Sequence, residues 1–238
     1  MTVQQSTGKP KIDWQAVRSN LDELGFARLQ GVLAKEICKE IASYFPDERR
    51  FRSRIDMARY SFGRGEYKYF NYPLPPIVQP LRNDIYPELA PLANDWAEKL
   101  GTSRSRYPEN LPAFLEYCHR TGQNRPTPLL LKYGPGDFNC LHQDRYGEVF
   151  FPFQVTFFLS QYGKDFTGGE FVLAEQRPRR QPRVEVITPD QGDAVIFAVH
   201  HRPVSGSRGY YRANFRHGVS TLQSGERYTL GVIFHDAQ

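Results

Sequence analysis

The residues with the clearest potential for chemistry are His142 and Asp144, at the end of the segment LLLKYGPGDFNCLHQD. The segment predicts a strand, a tight Gly-Pro-Gly turn and a second short strand. In extended backbone, side chains two residues apart lie on the same side. His142 and Asp144 can therefore bind one metal ion from the same direction. A second histidine would complete a facial set of two imidazoles and one carboxylate, which leaves coordination positions of a ferrous ion open.

That second histidine is expected from a distant strand, and His200, His201 and His217 are the candidates. His200 and His201 directly follow the predicted strand GDAVIFAV, which leaves no room for a turn before another strand. His217 lies within a separate predicted strand, NFRHGVS, and Arg227 opens the strand RYTLGVIF ten residues later. An arginine there can bind the far carboxylate of a dicarboxylic acid through two parallel hydrogen bonds. We therefore predict His217 as the third ligand.

The composition is that of a folded, loop-rich chain: 39% hydrophobic and 14% aromatic residues, with 18 prolines and 19 glycines among 238 residues. This length can bury the core of one substantial domain. Cys38, Cys118 and Cys140 show no paired spacing, and their odd number argues against a disulfide scaffold. No apolar run is long enough to span a membrane, and the N-terminus lacks the apolar core of a signal peptide. We expect a cytoplasmic protein without a membrane partner.

The formal net charge of +5 is compatible with binding to a polyanion such as nucleic acid. A net positive charge of this size is common among soluble proteins, so it is weak evidence for a nucleic-acid partner. The sequence assigns no oligomeric state.

The first half of the chain is predicted to be a flexible tail over residues 1–12 and a helical extension over residues 13–127. In the first helix, Asp13 is the expected N-cap and Gly25 the expected stop. Three further helical stretches follow, and Pro80, Pro87 and Pro91 are expected to break or kink the long one between residues 74 and 100.

Residues 49–72 stand out within this extension because they are rich in Arg, Lys, Tyr and Phe. One interpretation is a hairpin whose aromatic residues pack on the core. The other is a substrate lid, in which flat rings stack on a flat substrate and cations hold phosphate.

Residues 128–238 predict strand after strand without intervening helices, which is typical of a β sandwich or jelly roll. The run RPRRQPR at 177–183 is expected at an exposed hairpin tip, where it could contact phosphate. The predicted fold class is therefore mainly β with a helical extension (α+β), built as one integrated domain.

Taken together, the pair His142 and Asp144, the later His217 and the arginine ten residues beyond it resemble the Fe(II)/2-oxoglutarate-dependent dioxygenase superfamily. KYGPGDFNCLHQD and RYTL are similar to segments of AlkB-type nucleic-acid oxygenases. GGEF, GDAVIF and the spacing from His217 to Arg227 are similar to prolyl-hydroxylase-type members. The resemblance covers about residues 128–236.

This resemblance implies a double-stranded β-helix (a cupin-like jelly roll) flanked by N-terminal helices. His142, Asp144 and His217 would form the catalytic Fe(II) site. Arg227 would bind the C5 carboxylate of the cosubstrate 2-oxoglutarate, supported by Tyr133 and Thr229. O2 would be consumed, with ascorbate as a stimulant, and a substrate C–H bond would be hydroxylated with release of succinate and CO2.

Two positions depart from the AlkB-type pattern: Tyr146 replaces an acidic residue, and Ile233 replaces a second arginine. Three functions therefore stay open. The preferred one is oxidative demethylation of alkylated nucleic acid, in the manner of DNA repair. The alternatives are hydroxylation of a protein side chain or small molecule, and a non-catalytic metal-binding jelly-roll module.

Overall fold

The computed structural model describes residues 12–102, 106–144 and 147–238. Most of the predicted N-terminal tail, residues 1–11, lies outside these ranges, as does Tyr146. The helices are α1 (Trp14–Leu24), α2 (Lys35–Ser43), α3 (Val78–Lys99) and α4 (Leu111–Arg120). The strands are β1 (Phe26–Leu29), β2 (Phe51–Asp56), β3 (Gly63–Arg64), β4 (Glu66–Phe70), β5 (Leu129–Tyr133), β6 (Phe138–His142), β7 (Phe153–Phe158), β8 (Phe166–Gly168), β9 (Phe171–Gln176), β10 (Arg183–Ile187), β11 (Ala194–Ala198), β12 (His201–Gly206), β13 (Gly209–Val219), β14 (Leu222–Gly225) and β15 (Arg227–Ile233).

Among the described residues, two large antiparallel sheets and a two-stranded sheet of β14 and β8 form the β structure. The first sheet has the order β1-β11-β7-β15-β5-β4-β2, and the second has the order β10-β9-β13-β6-β3 with β12 paired to β13. Apolar side chains from both sheets meet between them, including Phe158 of β7 and Leu173 of β9. The predicted fold class, a mainly β jelly roll with N-terminal helices, is confirmed.

Strand β7 shows how the first sheet separates two environments. Phe153, Val155 and Phe157 pack in the large apolar cluster that also contains side chains of α1 and α3. The alternate residues Gln154 and Thr156 line a cavity on the other face of the sheet. Because side chains alternate along a strand, the same segment contributes both to the helix-facing core and to the cavity wall.

The helices follow the sequence prediction at most points. Asp13 caps α1 by accepting a hydrogen bond from the backbone N–H of Ala16 at 3.0 Å, and Gly25 ends it with a φ of 83°. Of the expected break or kink at the prolines, the break was wrong, because α3 runs unbroken through Pro87 and Pro91; the kink stays a prediction. Burial of side chains along α3, Trp96 among them, compensates for the two missing N–H groups.

The segment 13–127 supplies more than helices. Its strands β1, β2 and β4 join the first sheet, where β1 pairs with β11 at one edge and β4 pairs with β5. The same first sheet therefore contains strands from both halves of the chain. The proposed boundary at residue 128 stays a prediction.

A buried ion pair fixes the end of β15. Arg82 of α3 donates to the carbonyls of Ile233 and Phe234, both at 2.9 Å, and to the carboxylate of Asp236 at 2.8 Å. Arg82 and Asp236 both have 0% exposure. The second Asp236 oxygen lies 2.9 Å from Nε2 of His119. This network attaches α3 to the strand that begins with Arg227.

Within the described ranges, every helix is too short or too polar to cross a lipid bilayer.

Replacing Arg82 with Met should destabilise the protein by about 3–5 kcal/mol, because the buried Asp236 carboxylate loses its permanently charged partner and keeps only His119 as an ion-pair partner among the described residues. The free energy of unfolding from urea denaturation measures this effect. Arg120→Met is the matched control, since Arg120 pairs with Glu116 at 3.8 Å on the surface, and it should cost less than about 1 kcal/mol. Equal stability of the two variants would contradict the assigned role of Arg82.

Candidate active site

Two paired strands bring His142, Asp144 and His217 together. β6 and β13 are antiparallel, and His142 lies directly opposite His217. Nε2 of His142 is 3.5 Å from one oxygen of Asp144, and Nε2 of His217 is 3.3 Å from the other. One ligand atom from each of the three residues lies within 4.8 Å of the others. The spacing argument from sequence therefore selected residues that converge in space.

A glycine permits this close approach of the two strands. A Cβ at Gly218, the residue after His217, would lie 2.7 Å from the carbonyl oxygen of Asn139 on β6. The β6–β13 register is also irregular between His217 and Val219. The local backbone is thus shaped around the point where the two histidines face each other.

Hydrogen bonds set the tautomer of His142. Its Nδ1 lies 2.8 Å from the carbonyl oxygen of Cys140, which can only accept, so Nδ1 carries the proton. Nε2 is then the ring nitrogen that faces Asp144, and in the neutral imidazole its lone pair is available to a cation.

The two imidazoles favour the ionised form of the Asp144 carboxyl group. Burial alone would raise the pKa of Asp144, but His142 and His217 hold it well below its usual range. Burial would lower the pKa of His142, yet the Asp144 carboxylate raises it above its usual value. The pKa of His217 is lowered by burial and by the neighbouring His142. Two imidazoles and one ionised carboxylate form the donor set of a mononuclear Fe(II) site.

The cluster opens onto a cavity of about 190 Å³ between the two sheets. Its lining also includes the predicted cosubstrate residues Tyr133, Arg227 and Thr229. Arg227 begins β15 opposite Tyr133 of β5, and Thr229 follows on the same face. All six residues predicted from the sequence therefore line one cavity.

Arg227 is a buried cation that fits an anionic ligand. Its side chain is only 2% exposed, and its NH1 atom has no hydrogen-bond partner among the described residues. Its guanidinium carbon lies 5.4 Å and 5.5 Å from the ring centroids of Tyr133 and Phe158. Burial lowers the pKa of Arg227 to about 10. A buried, incompletely satisfied guanidinium is costly, so a carboxylate that pairs with it would relieve this cost.

Tyr133 supports the same end of the cavity. It is fully buried, and its hydroxyl oxygen accepts a hydrogen bond from the Asn139 side-chain amide at 3.3 Å. Burial raises the pKa of Tyr133 to about 12, so the hydroxyl keeps its proton and can donate to a carboxylate.

The other histidines lie elsewhere. His201 begins β12 and pairs with Asn214, while the His200 carbonyl accepts a hydrogen bond from the backbone N–H of Phe215. A strand thus follows β11 almost at once, contrary to the expectation that no turn would fit there. His235 is buried against the N–H of Phe151, and His119 contacts Asp236.

Sequence reasoning missed several cavity residues, notably Asn139, Gln154 and Thr156. Gln154 is buried beside His217, with 3.3 Å between its amide nitrogen and Nε2, and its amide oxygen has no partner within the described part of the chain. Gln154 and Thr156 within the apolar run FPFQVTFFLS were an available signal, because a buried strand rarely carries polar residues without a role.

The aromatic segment at 49–72 contains the hairpin of the first interpretation, and the substrate lid stays a prediction. β2 and β4 form a hairpin, and Tyr69 and Phe70 are buried. Tyr60 and Phe62, in contrast, are 56% and 47% exposed and stack with ring centroids 5.5 Å apart. Phe62 also lines the cavity. The hairpin therefore packs on the core, while its connecting segment presents Phe62 at the cavity with the exposed Tyr60 ring stacked on it.

This connecting segment is bonded to the strand that carries His142. β3 pairs with β6 through Gly63 and Asn139, and the carbonyl of Phe62 accepts a hydrogen bond from the N–H of Cys140 at 2.8 Å. Of the two departures from the AlkB-type pattern, Tyr146 lies outside the described residues. Ile233 is buried and packs with Tyr69 and Leu129.

Comparisons with known proteins agree with this geometry. A family model, Oxygenase-NA, described as an oxygenase catalysing oxidative methylation of damaged DNA, matches residues 65–237. An uncharacterized protein of Mycobacterium tuberculosis, found in two strains, is 48% identical over 168 residues, which are 71% of this chain and 72% of the relative.

Solved structures show the same fold at low sequence identity. A prolyl-4-hydroxylase of Pseudomonas putida has a TM-score of 0.55 at 14% identity, covering 94% of this chain and 99% of that one. The non-heme α-ketoglutarate dependent epimerase SnoN from nogalamycin biosynthesis has a TM-score of 0.58 at 11% identity, with coverages of 94% and 82%.

Proposed function

The chain belongs to the Oxygenase-NA family and is an Fe(II)- and 2-oxoglutarate-dependent oxygenase, and we propose that it oxidises an alkyl group on a nucleic-acid base. One observation carries the site assignment. The convergent His142, Asp144 and His217 share a cavity with the buried and incompletely satisfied guanidinium of Arg227. A metal ion would bind to His142, Asp144 and His217, and a dicarboxylate bound at that metal could pair its far carboxylate with Arg227.

In this proposal His142, Asp144 and His217 hold the iron. When bound, iron and 2-oxoglutarate supply the oxidising power that inserts an oxygen atom from O2 into a substrate C–H bond, with release of succinate and CO2. Arg227 binds the far carboxylate of the cosubstrate, and the hydroxyls of Tyr133 and Thr229 donate hydrogen bonds to it. The buried apolar walls, such as Leu129 and Phe171, exclude water.

Hydroxylation of an N-methyl group produces a hemiaminal, which loses formaldehyde and so removes the methyl group. The family description, which concerns damaged DNA, supports a nucleic-acid substrate. The exposed rings of Tyr60 and Phe62 offer surfaces on which unpaired bases stack. The side chains of Arg59 and Arg64 are mostly exposed in the same segment, where they can contact phosphate.

The second candidate is hydroxylation of a protein side chain, and the fold shared with prolyl hydroxylases favours it. On an unreactive carbon the same step would leave a stable alcohol and release no formaldehyde. Family membership argues against the third reading, a non-catalytic metal-binding module. A cytoplasmic location stays a prediction. Cys38, Cys118 and Cys140 are all free thiols.

With Fe(II), ascorbate and 2-oxoglutarate, the protein should release succinate, and a methylated single-stranded oligonucleotide should stimulate this release and yield formaldehyde. Asp144→Ala should abolish both products because it removes the only carboxylate of the ligand set. Asp95→Ala on α3, which removes a surface partner of Lys99, is the matched control. Succinate release that ignores the oligonucleotide but responds to a proline-rich peptide would favour the second candidate. Normal turnover by Asp144→Ala would refute the metal site.

Arg227→Met should raise the dissociation constant of 2-oxoglutarate by about 30-fold or more, because losing a buried charge partner costs roughly 2–5 kcal/mol. Titration of the Fe(II)-loaded protein with 2-oxoglutarate under anaerobic conditions measures this constant. Arg49→Met, at a surface residue that pairs with Asp47, should leave it unchanged. A cosubstrate affinity close to that of the unaltered protein in Arg227→Met would place the C5 carboxylate elsewhere.

The double substitution Tyr60→Ala and Phe62→Ala should weaken binding of an alkylated single-stranded oligonucleotide, since stacking contributes about 1–3 kcal/mol per base. The 2-oxoglutarate dissociation constant should not change, because neither ring contacts Arg227. Tyr210→Ala is the control, as Tyr210 is 51% exposed and contacts Lys99 instead. Fluorescence anisotropy with labelled oligonucleotide provides the affinities. Equal affinities for the double variant and the control would remove these rings from the substrate surface.

A further inference from the structure

Gln143 lies between the two ligands His142 and Asp144, and its side-chain amide is within hydrogen-bond distance of three acceptor oxygens. Its amide nitrogen lies 2.6 Å from the carbonyl oxygen of Phe215 and 2.7 Å from the side-chain oxygen of Asn214. The His200 carbonyl is a third and longer contact at 3.3 Å. An amide nitrogen has two hydrogens, so the two short contacts use both.

These contacts occur where the ladder between two strands stops. Among the described residues, β6 and β13 pair from Asn139 opposite Val219 to His142 opposite His217, and β6 ends there. Gln143 is the next residue. Its side chain reaches Asn214 and Phe215, which precede His217 on β13. The amide thus continues the link between the strands after their backbone pairing has ended.

The position of this link bears on all three candidate metal ligands. Gln143 is covalently joined to His142 on one side and to Asp144 on the other. Phe215, whose backbone carbonyl accepts the shortest of these hydrogen bonds, lies two residues before His217 on β13. The hydrogen bond from Gln143 to Phe215 therefore holds His142 and Asp144, at the end of β6, in a fixed position relative to His217 on β13.

We infer that Gln143 is a positioning residue of the metal centre, whose side-chain amide sets the separation of His142 and Asp144 from His217. The inference rests on the proposed function only in taking these three residues as metal ligands. Residues that orient metal ligands without touching the metal typically change metal affinity by about 10–100-fold when they are replaced.

Both hydrogens of the amide are needed for this role. In Gln143→Glu the side chain keeps its length but loses both N–H groups, and its carboxylate would face the oxygens of Phe215, Asn214 and His200. Gln143→Met keeps a similar volume without any polar atom. Both variants should therefore loosen the site, whereas a role based on shape alone would be preserved in each.

The test measures Co(II) binding by isothermal titration, without turnover, at a temperature where circular dichroism shows each variant fully folded. Gln143→Met and Gln143→Glu should bind Co(II) about 10–100-fold more weakly than the unaltered protein. The visible absorption of the bound Co(II) should also change, because it reports ligand geometry. Gln79→Met is the matched control, since the Gln79 amide donates to Asn83 on α3, and it should change neither property.

Asn214→Ala tests the same link from the other strand and should weaken Co(II) binding by a smaller factor, because both backbone acceptors remain. Affinity and spectrum within twofold of the unaltered protein in both Gln143 variants would overturn the inference. So would an equal loss of affinity in Gln79→Met. If the unaltered protein binds Co(II) but releases no succinate with Fe(II), the oxygenase function fails, while the Gln143 measurements still decide the positioning role.

Discussion

The antiparallel pairing of β6 with β13 is the constraint on which the site depends. It places His142 opposite His217, and Asp144 follows within contact distance of both imidazoles. Histidine and carboxylate ligands from two strands can converge only if the register is correct, because a shift of one residue would turn His217 to the other face. Gly218 permits the close approach, and Gln143 extends the link beyond the ladder.

Two buried arginines show how the fold treats positive charge. Arg82 is satisfied by two backbone carbonyls and the carboxylate of Asp236. Arg227 has aromatic rings around it and an NH1 atom without a partner among the residues described. The Arg82 arrangement stabilises the fold, whereas Arg227 retains a hydrogen-bond donor that can bind an anion. This contrast supports reading Arg227 as a ligand-binding residue.

The sequence was most informative where chemistry depends on local spacing. His142 and Asp144 share a side because they are two residues apart. His217 was chosen because it lies in a separate predicted strand ten residues before Arg227, whereas the argument against His201 was wrong, since β12 begins at that residue. The turn residues and apolar runs likewise predicted most strands from β5 onwards, but not the short strands β8, β12 and β14. These features depend on neighbours along the chain, so they can be deduced without knowing the packing.

What could not be deduced depends on long-range register. The partners of Gln143 lie more than fifty residues away, and no local pattern shows which carbonyls its amide meets. The strands β1, β2 and β4 lie in a segment with strong helical periodicity elsewhere, and their membership of the first sheet follows from pairing with later strands. Pro87 and Pro91 were misleading because burial along α3 outweighs two lost hydrogen bonds.

The alternation along β7 has an evolutionary consequence. Phe153, Val155 and Phe157 contribute to the helix-facing core, while Gln154 and Thr156 face the cavity. Selection for a new substrate can therefore act on the cavity-facing residues while the core-facing residues stay under selection for folding. Because the two sets of residues alternate on one strand, substitutions in the cavity can accumulate one at a time while the packing of the core is kept.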